Sequence, residues 1–202
     1  MAVNNGYATL ADVKAALRIT DSVDDSLIEL SIEAASREID GYCNRVFYSQ
    51  SGTRVYQNID TFMTNTDDII SVTTLKTSDD GVSYDTTWKT SDYQLEPLNG
   101  VSGGLVQPYT RIRAIGDYLF PVWSVTGTYG NLASVQVTGV FGWSAVPTAV
   151  RQATILLAMR QFKRYDSPLG VAGFGDIGAI RVGRTDPDVE ALLMPFKKAV
   201  SS

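Results

Sequence analysis

The hexapeptide Gly173-Phe174-Gly175-Asp176-Ile177-Gly178 spells G-x-G-x-x-G, the glycine spacing that lets a pyrophosphate approach backbone N–H groups at a helix N-terminus. That chemistry needs a strand before the glycines and a helix after them. Here a helical pattern precedes the motif and a short strand-like run, 179–182, follows it, so the stretch reads as a glycine-rich loop. Gly142-Trp143-Ser144-Ala145-Val146 lacks the final glycine of a nucleophile elbow. The chain contains no histidine to activate Ser144. That same absence removes the commonest general base, the Ser-His and Cys-His pairs and the commonest zinc ligand. Cys43 is the sole cysteine, which rules out an intrachain disulfide and a multi-cysteine metal site. Without a basic neighbour arranged to lower its pKa, it reads as a packed thiol rather than a nucleophile. Asp79, Asp80 and Asp85 offer oxygen ligands to calcium, but their spacing is not that of an EF-hand loop, and a hairpin turn accounts for Asp80-Gly81 equally well. These residues predict no catalytic group, no metal and no cofactor, and a protein that is not an enzyme.

Five aromatic residues leave a second reading open. Trp88, Tyr93, Tyr109, Tyr118 and Trp123 can stack on sugars or bases, or fill a core and subunit contacts. The first option makes the chain a carbohydrate-binding or carbohydrate-cleaving protein.

The elements that carry these residues change period along the chain. Thr9 followed by Asp12 marks a helix start, running to about Leu17. A second helix is expected from about Asp24 to Cys43. Its apolar stripe Ile28, Ile32, Ala35, Ile39 and Tyr42 is spaced four, three, four and three, which places one face in a core. From Arg45 to about Trp143 the chain is rich in Thr, Val, Tyr and Ser and is punctuated by Asp79-Asp80-Gly81, Asn99-Gly100, Gly103-Gly104 and Gly130-Asn131. This predicts an antiparallel sheet of about five or six strands. Strand-like runs stand at 69–76 and 112–115, and Val135, Val137, Phe141 and Trp143 share one face. Helical signals return at Pro147, expected in the first turn of a helix to about Tyr165. That helix is apolar on nearly every side at 155–159, as suits a central element or one shared with a neighbouring subunit. Asp186-Pro187 opens a last helix with Val189, Leu192, Leu193 and Phe196 on one side, and Pro195 ends its regular part near Met194. The fold class expected is α+β: a helical bundle from segments 1–46 and 147–202, with an inserted antiparallel sheet region at 47–146.

A chain of 202 residues, 44% hydrophobic and 19% charged, has enough apolar material for a core. No run approaches the ~20 apolar residues of a membrane span, and no secretory signal is recognised. The net charge of -5 divides unevenly: three basic and eight acidic residues at 1–44, six and nine at 45–146, eight and five at 147–202. Such a chain is a poor binder of duplex DNA, since non-specific affinity comes from cations neutralising phosphates. Its acidic front and basic tail can act as complementary faces between copies.

Tyr7-Ala8-Thr9-Leu10-Ala11-Asp12-Val13-Lys14, Leu17-Arg18-Ile19, Asp24 to Ile28, Ile32 to Asp40 and Cys43 resemble the opening of tailed-phage head-tail connector (adaptor) proteins. Val146-Pro147, Val150, Ala153 and Leu156-Leu157 resemble that family's later helix. The resemblance implies a structural virion protein made in the host cytoplasm: a homo-oligomeric ring, dodecameric by expectation, in the neck between capsid and tail. It would bind the portal protein on one side and a tail-side connector or stopper on the other, with DNA passing through without sequence-specific binding. The glycine-rich loop and the last helix, through Phe174, Arg181, Arg184, Phe196 and Lys197, are the expected contacts with neighbouring subunits or the portal.

Overall fold

A computed structural model of the chain describes residues 3–58, 60–122, 133–166 and 186–198. The fold is α+β, and the chain divides into two compact units, 1–47 with 146–202, and 48–145.

The first unit is helical. Helix α1 (Leu10–Leu17) starts on a capping box: Thr9 Oγ1 accepts from the Asp12 N–H at 3.2 Å, and the Asp12 carboxylate accepts from the Thr9 N–H at 2.9 Å. Two donors orphaned at the helix start are thereby satisfied. Asp12 also takes the Arg151 guanidinium of the third helix, with Nε at 3.0 Å and the second nitrogen alongside. Arginine's hydrogen bonds and the Thr9 N–H hold the Asp12 carboxyl down at about 2. A carboxyl depressed in the fold adds stability above its unfolded pKa near 4 and loses it as the pH falls through about 2. Asp12→Asn is therefore expected to cost about 1 kcal/mol at pH 7, the usual size of a lost cap and an exposed ion pair. Urea denaturation should show that deficit shrinking as the pH is lowered from 5 toward 2; a deficit independent of pH would dismiss the carboxylate's role.

Helix α2 (Asp25–Cys43) ends on Asn44 in the left-handed region, a conformation asparagine tolerates. Ile28, Ile32, Ala35, Ile39 and Cys43 are each fully buried along it. Cys43 closes the stripe fully buried, whereas Tyr42, equally near its axis, is half-buried with its hydroxyl turned to Glu190. Burial pushes the Cys43 thiol up to about 11, so it is a protonated core thiol. Helix α3 (Thr148–Asp166) buries Val150, Ala153, Leu157, Ala158 and Phe162. Pro147 precedes its first residue instead of occupying the first turn. The Pro147 carbonyl accepts the Arg151 N–H at 2.9 Å, so proline is the cap. Helix α4 (Pro187–Leu193) is capped by Asp186, whose side chain accepts from the Asp188 N–H at 3.0 Å. It passes into a 3-10 turn at Met194–Phe196, where Pro195 supplies no N–H for an α-helical bond.

The chain's N-terminal stretch is tied to α2 by Tyr7. Its hydroxyl donates to Asp40 Oδ1 and accepts from the Phe47 N–H at 2.8 Å, while its backbone N–H reaches Ser36 Oγ at 3.1 Å. Burial, then the Asp40 carboxylate, raise the Tyr7 phenol above its ordinary value. Burial likewise leaves Asp40 above the usual carboxylate range despite its Arg37 partner at 3.0 Å.

The second unit is built on a six-stranded antiparallel sheet of order β1-β8-β2-β7-β4, with β3 beside the far end of β2. The strands are β1 (Gln50–Gln57), β2 (Met63–Thr77), β3 (Thr86–Trp88), β4 (Tyr93–Glu96), β7 (Tyr109–Ala114) and β8 (Ala133–Phe141). A separate hairpin is formed by β5 (Val101–Ser102) and β6 (Leu105–Val106). The long strand β2 is the spine. Residues 63–69 pair with β7, and residues 69–77 pair with β8, with bulges at the change of partner, where an extra residue bends the strand. Val135, Val137 and Phe141 of β8 face a core with Ile69, Leu75, Trp88, Tyr93, Ile112 and Phe120. Trp143 lies beyond the end of β8, and its Nε1 donates to Asp68 Oδ2 at 3.0 Å.

Candidate functional site

Three surfaces of the helical unit carry groups for recognition. The first is a cleft of about 250 Å³ between α2, α3 and α4, floored by Ile39, Leu157 and Leu193. Its rim sets Arg160 and Arg164, one turn apart on α3, against Glu38, Asp186 and Glu190. The rim is internally braced: Tyr42 donates its hydroxyl to Glu190 Oε1 at 3.2 Å, and Gln161 Nε2 donates to Glu38 Oε2 at 3.0 Å. Lys197 Nζ stands 4.8 Å from the centre of the Tyr42 ring, within cation–π range. Burial, then the Glu190 carboxylate, raise the Tyr42 phenol. These groups lock helices to one another, and none of them pairs a nucleophile with a base.

The second surface is a face of α2 that its core stripe leaves outside. Val23, Leu27 and Leu30 are 83%, 37% and 52% exposed, and Ala34 is exposed after them. Leu27, Leu30 and Ala34, spaced three and four, form one helical row, about two-fifths of a turn round from Ile28 and Ile32, and Val23 stands in the turn before it. Asp24 and Glu33 flank the row, and Asp21 stands before it. The third surface is the outer row of α3. Gln152 and Lys163 are exposed and Leu156 and Met159 half-buried between them, on the side away from buried Val150, Ala153, Thr154, Leu157 and Ala158. This is how the all-round apolar pattern at 155–159 is resolved: one side is core and the other reaches the surface.

Of the expected contact residues, Phe174, Arg181 and Arg184 lie outside the described residues, as do the G-x-G-x-x-G loop and Trp123. Phe196 is buried, its ring edge-on to Phe47 at 5.9 Å, and Phe47 is edge-on to Tyr7 at 5.5 Å. It supports the end of the chain from inside the unit; the Lys198 N–H bonds the Cys43 carbonyl at 2.9 Å beside it. Lys197 is exposed.

The structure takes Trp88 out of any sugar platform. It is buried, stacked on Phe120 at 4.6 Å, and its Nε1 donates to Thr77 Oγ1 at 3.1 Å. Tyr93 is buried too, and Tyr118 packs on Trp88 at 5.3 Å. At the β2–β3 connection the Asp80 carboxylate accepts from Ser78 Oγ, Val82 N–H and Ser83 N–H at 2.7 to 2.8 Å. These bonds hold the Asp80 carboxyl well below its usual range and organise the turn. Among the described residues no three carboxylates or thiols gather as a metal site, and no helix is long and apolar enough to cross a membrane.

Residues 7–78 match the family model of phage gp6-like head-tail connector proteins. Over that stretch the chain is similar to head-tail connectors. The match takes in the connector-like sequence of α1 and α2 and continues through β1 and β2; the residues quoted from α3 lie beyond it. No curated protein matches the chain. Among solved structures, the connector-like chain is similar over its whole length to one from the neck of an empty GTA particle computed with C6 symmetry. There the TM-score is 0.57 and the identity 20%, with 95% of that chain covered. A chain from the neck of a native GTA particle computed with C12 symmetry gives 0.54 and 19%, with this chain fully covered and 94% of the other. A third, from the virion of a native gene transfer agent particle, gives 0.54 and 19% over all of this chain and 95% of that one. At these identities the likeness is one of fold, and it includes the strand-rich unit as well as the helices.

Proposed function

We propose that the chain is a structural head-tail connector: copies form a ring in the neck of a virion, seated on the portal, joining capsid to tail around the DNA exit channel. The observation that carries this reading is the connector match over residues 7–78, which holds the capping box of α1 and the core stripe of α2. The whole-chain likeness of fold to neck proteins of symmetric particles supports it. The chemistry agrees. A ring subunit needs interfaces rather than a nucleophile, and cyclic rings are made from heterologous contacts between two different faces. An acidic chain lining a conduit also lets DNA pass with few phosphate contacts to slow it.

In this reading Phe174, Arg181, Arg184 and exposed Lys197 contact the portal or a neighbouring copy, while Phe196 is buried and supports the last helix from inside. The test is cryo-electron microscopy of the purified protein incubated with isolated portal rings. The expected result is a second ring on the portal, of twelve copies, and its weakening by Arg181→Glu with Arg184→Glu. Portal rings that stay bare at saturating protein would refute the reading.

A further inference from the structure

We infer that the exposed α2 row of one copy, Leu27 and Leu30, with Val23 in the turn before it, docks on the outer α3 row of a second copy, Leu156 and Met159. The inference rests on the connector reading and names the two faces that would join its subunits.

Three observations carry it. First, the α2 row is an exposed apolar surface and the α3 row, Leu156 and Met159, a half-buried one, on helices whose other sides fill the core. Leu27 and Leu30 stand 37% and 52% exposed on a helix with six fully buried positions, Ile28, Ile32, Ala35, Ser36, Ile39 and Cys43. Exposed apolar rows with polar rims mark sites of association. Second, the rims are of opposite sign. Asp24 and Glu33 border the α2 row and Asp21 stands before it, whereas exposed Lys163 ends the α3 row. Opposed potentials fix orientation and register between partners, and they disfavour pairing of a face with itself. Third, the two faces differ in shape and charge, so the contact is heterologous. Repetition of such a contact closes a ring when its rotation permits. The cleft between α2, α3 and α4 is a weaker candidate, because its Glu38 and Glu190 already accept from Gln161 and Tyr42 across the helices.

The test uses Cys43 as a silent background, since it is fully buried. Leu30→Cys and Gln152→Cys are made singly and together in the full chain, both at positions open to solvent or nearly so. Matched melting curves confirm folding, and a short bis-maleimide is added while sedimentation velocity records mass. Mixing the two single variants should give covalent dimers, the double variant a ladder of higher species, and each single variant alone almost none. Dimers from Leu30→Cys alone would overturn the inference in favour of a face that pairs with itself. Oligomers by sedimentation without links between positions 30 and 152 would overturn this interface while leaving the connector reading intact. Monomer with no links in any arm would overturn the interface as well; the portal incubation then decides the connector reading separately.

Discussion

Ile32→Asp is expected to destabilise the protein by roughly 5 kcal/mol, enough to abolish a cooperative transition if total stability lies at the lower end of the usual range. Ile32 is fully buried in the middle of α2, between Ile28 and Ala35 on the stripe. Two costs add there. Removing the isoleucine side chain gives up about 2 to 3 kcal/mol of burial. Placing a carboxylate in its stead adds the penalty of an enclosed charge, several kcal/mol more unless the group protonates. Leu30→Asp is the matched control: same helix, a similar side chain, but 52% exposed. It should cost less than about 1 kcal/mol, mostly helix propensity. Denaturation followed by circular dichroism separates the two. Equal melting temperatures would mean that α2 is turned differently from the structure described above.

The contrast between those positions also shows what the sequence could convey. The stripe Ile28, Ile32, Ala35, Ile39 is a helical row that any face-counting finds, and all four side chains are buried. Caps were equally legible, because Thr9, Asp186 and Pro195 act through their own backbone neighbours. The row Leu27, Leu30, Ala34 obeys the same spacing and went unread, since a second apolar row on a helix already assigned a core face looks like ordinary variation. Only exposure distinguishes it. The sheet was visible as a class, but its order β1-β8-β2-β7-β4 joins segments far apart in sequence, and nothing local encodes which strand lies beside which. Trp88 illustrates the same limit: its burial depends on Thr77 from β2 and on Phe120 from the segment after β7. Tyr7 is the extreme case. One side chain joins Asp40 and Phe47, and neither partner is in its own segment.

Gly142→Ala is expected to cost about 3 kcal/mol or more, the largest effect of any single methyl group in the sheet unit. The residue lies just past the end of β8 at φ +96°, where an L side chain is strained, and a Cβ there would stand 1.9 Å from the Tyr48 carbonyl oxygen and 3.0 Å from its carbon. Backbone strain of this kind is worth about 1 to 3 kcal/mol, and the overlap is with main chain, which cannot rotate aside. Nor can Gly142 itself move away freely: its N–H donates to the Asp68 carbonyl at 2.8 Å, and Trp143, next along, is bonded to the Asp68 carboxylate. Relief must therefore come from the segment at Tyr48–Ser49, which leads into β1, or from loss of the Asp68 bond. Either shifts the register between β1 and β8, set at that end by Gln50 opposite Phe141. Gly52→Ala makes the comparison fair, because Gly52 is also in that strand pair but a Cβ there meets nothing within 4 Å. That change should be neutral or stabilising by less than about 1 kcal/mol, through the unfolded chain's lost freedom. Urea midpoints of the two alanine variants should thus differ by about 1 M or more, with Gly142→Ala the lower. If they coincide, the close approach of Tyr48 to the end of β8 does not exist in solution.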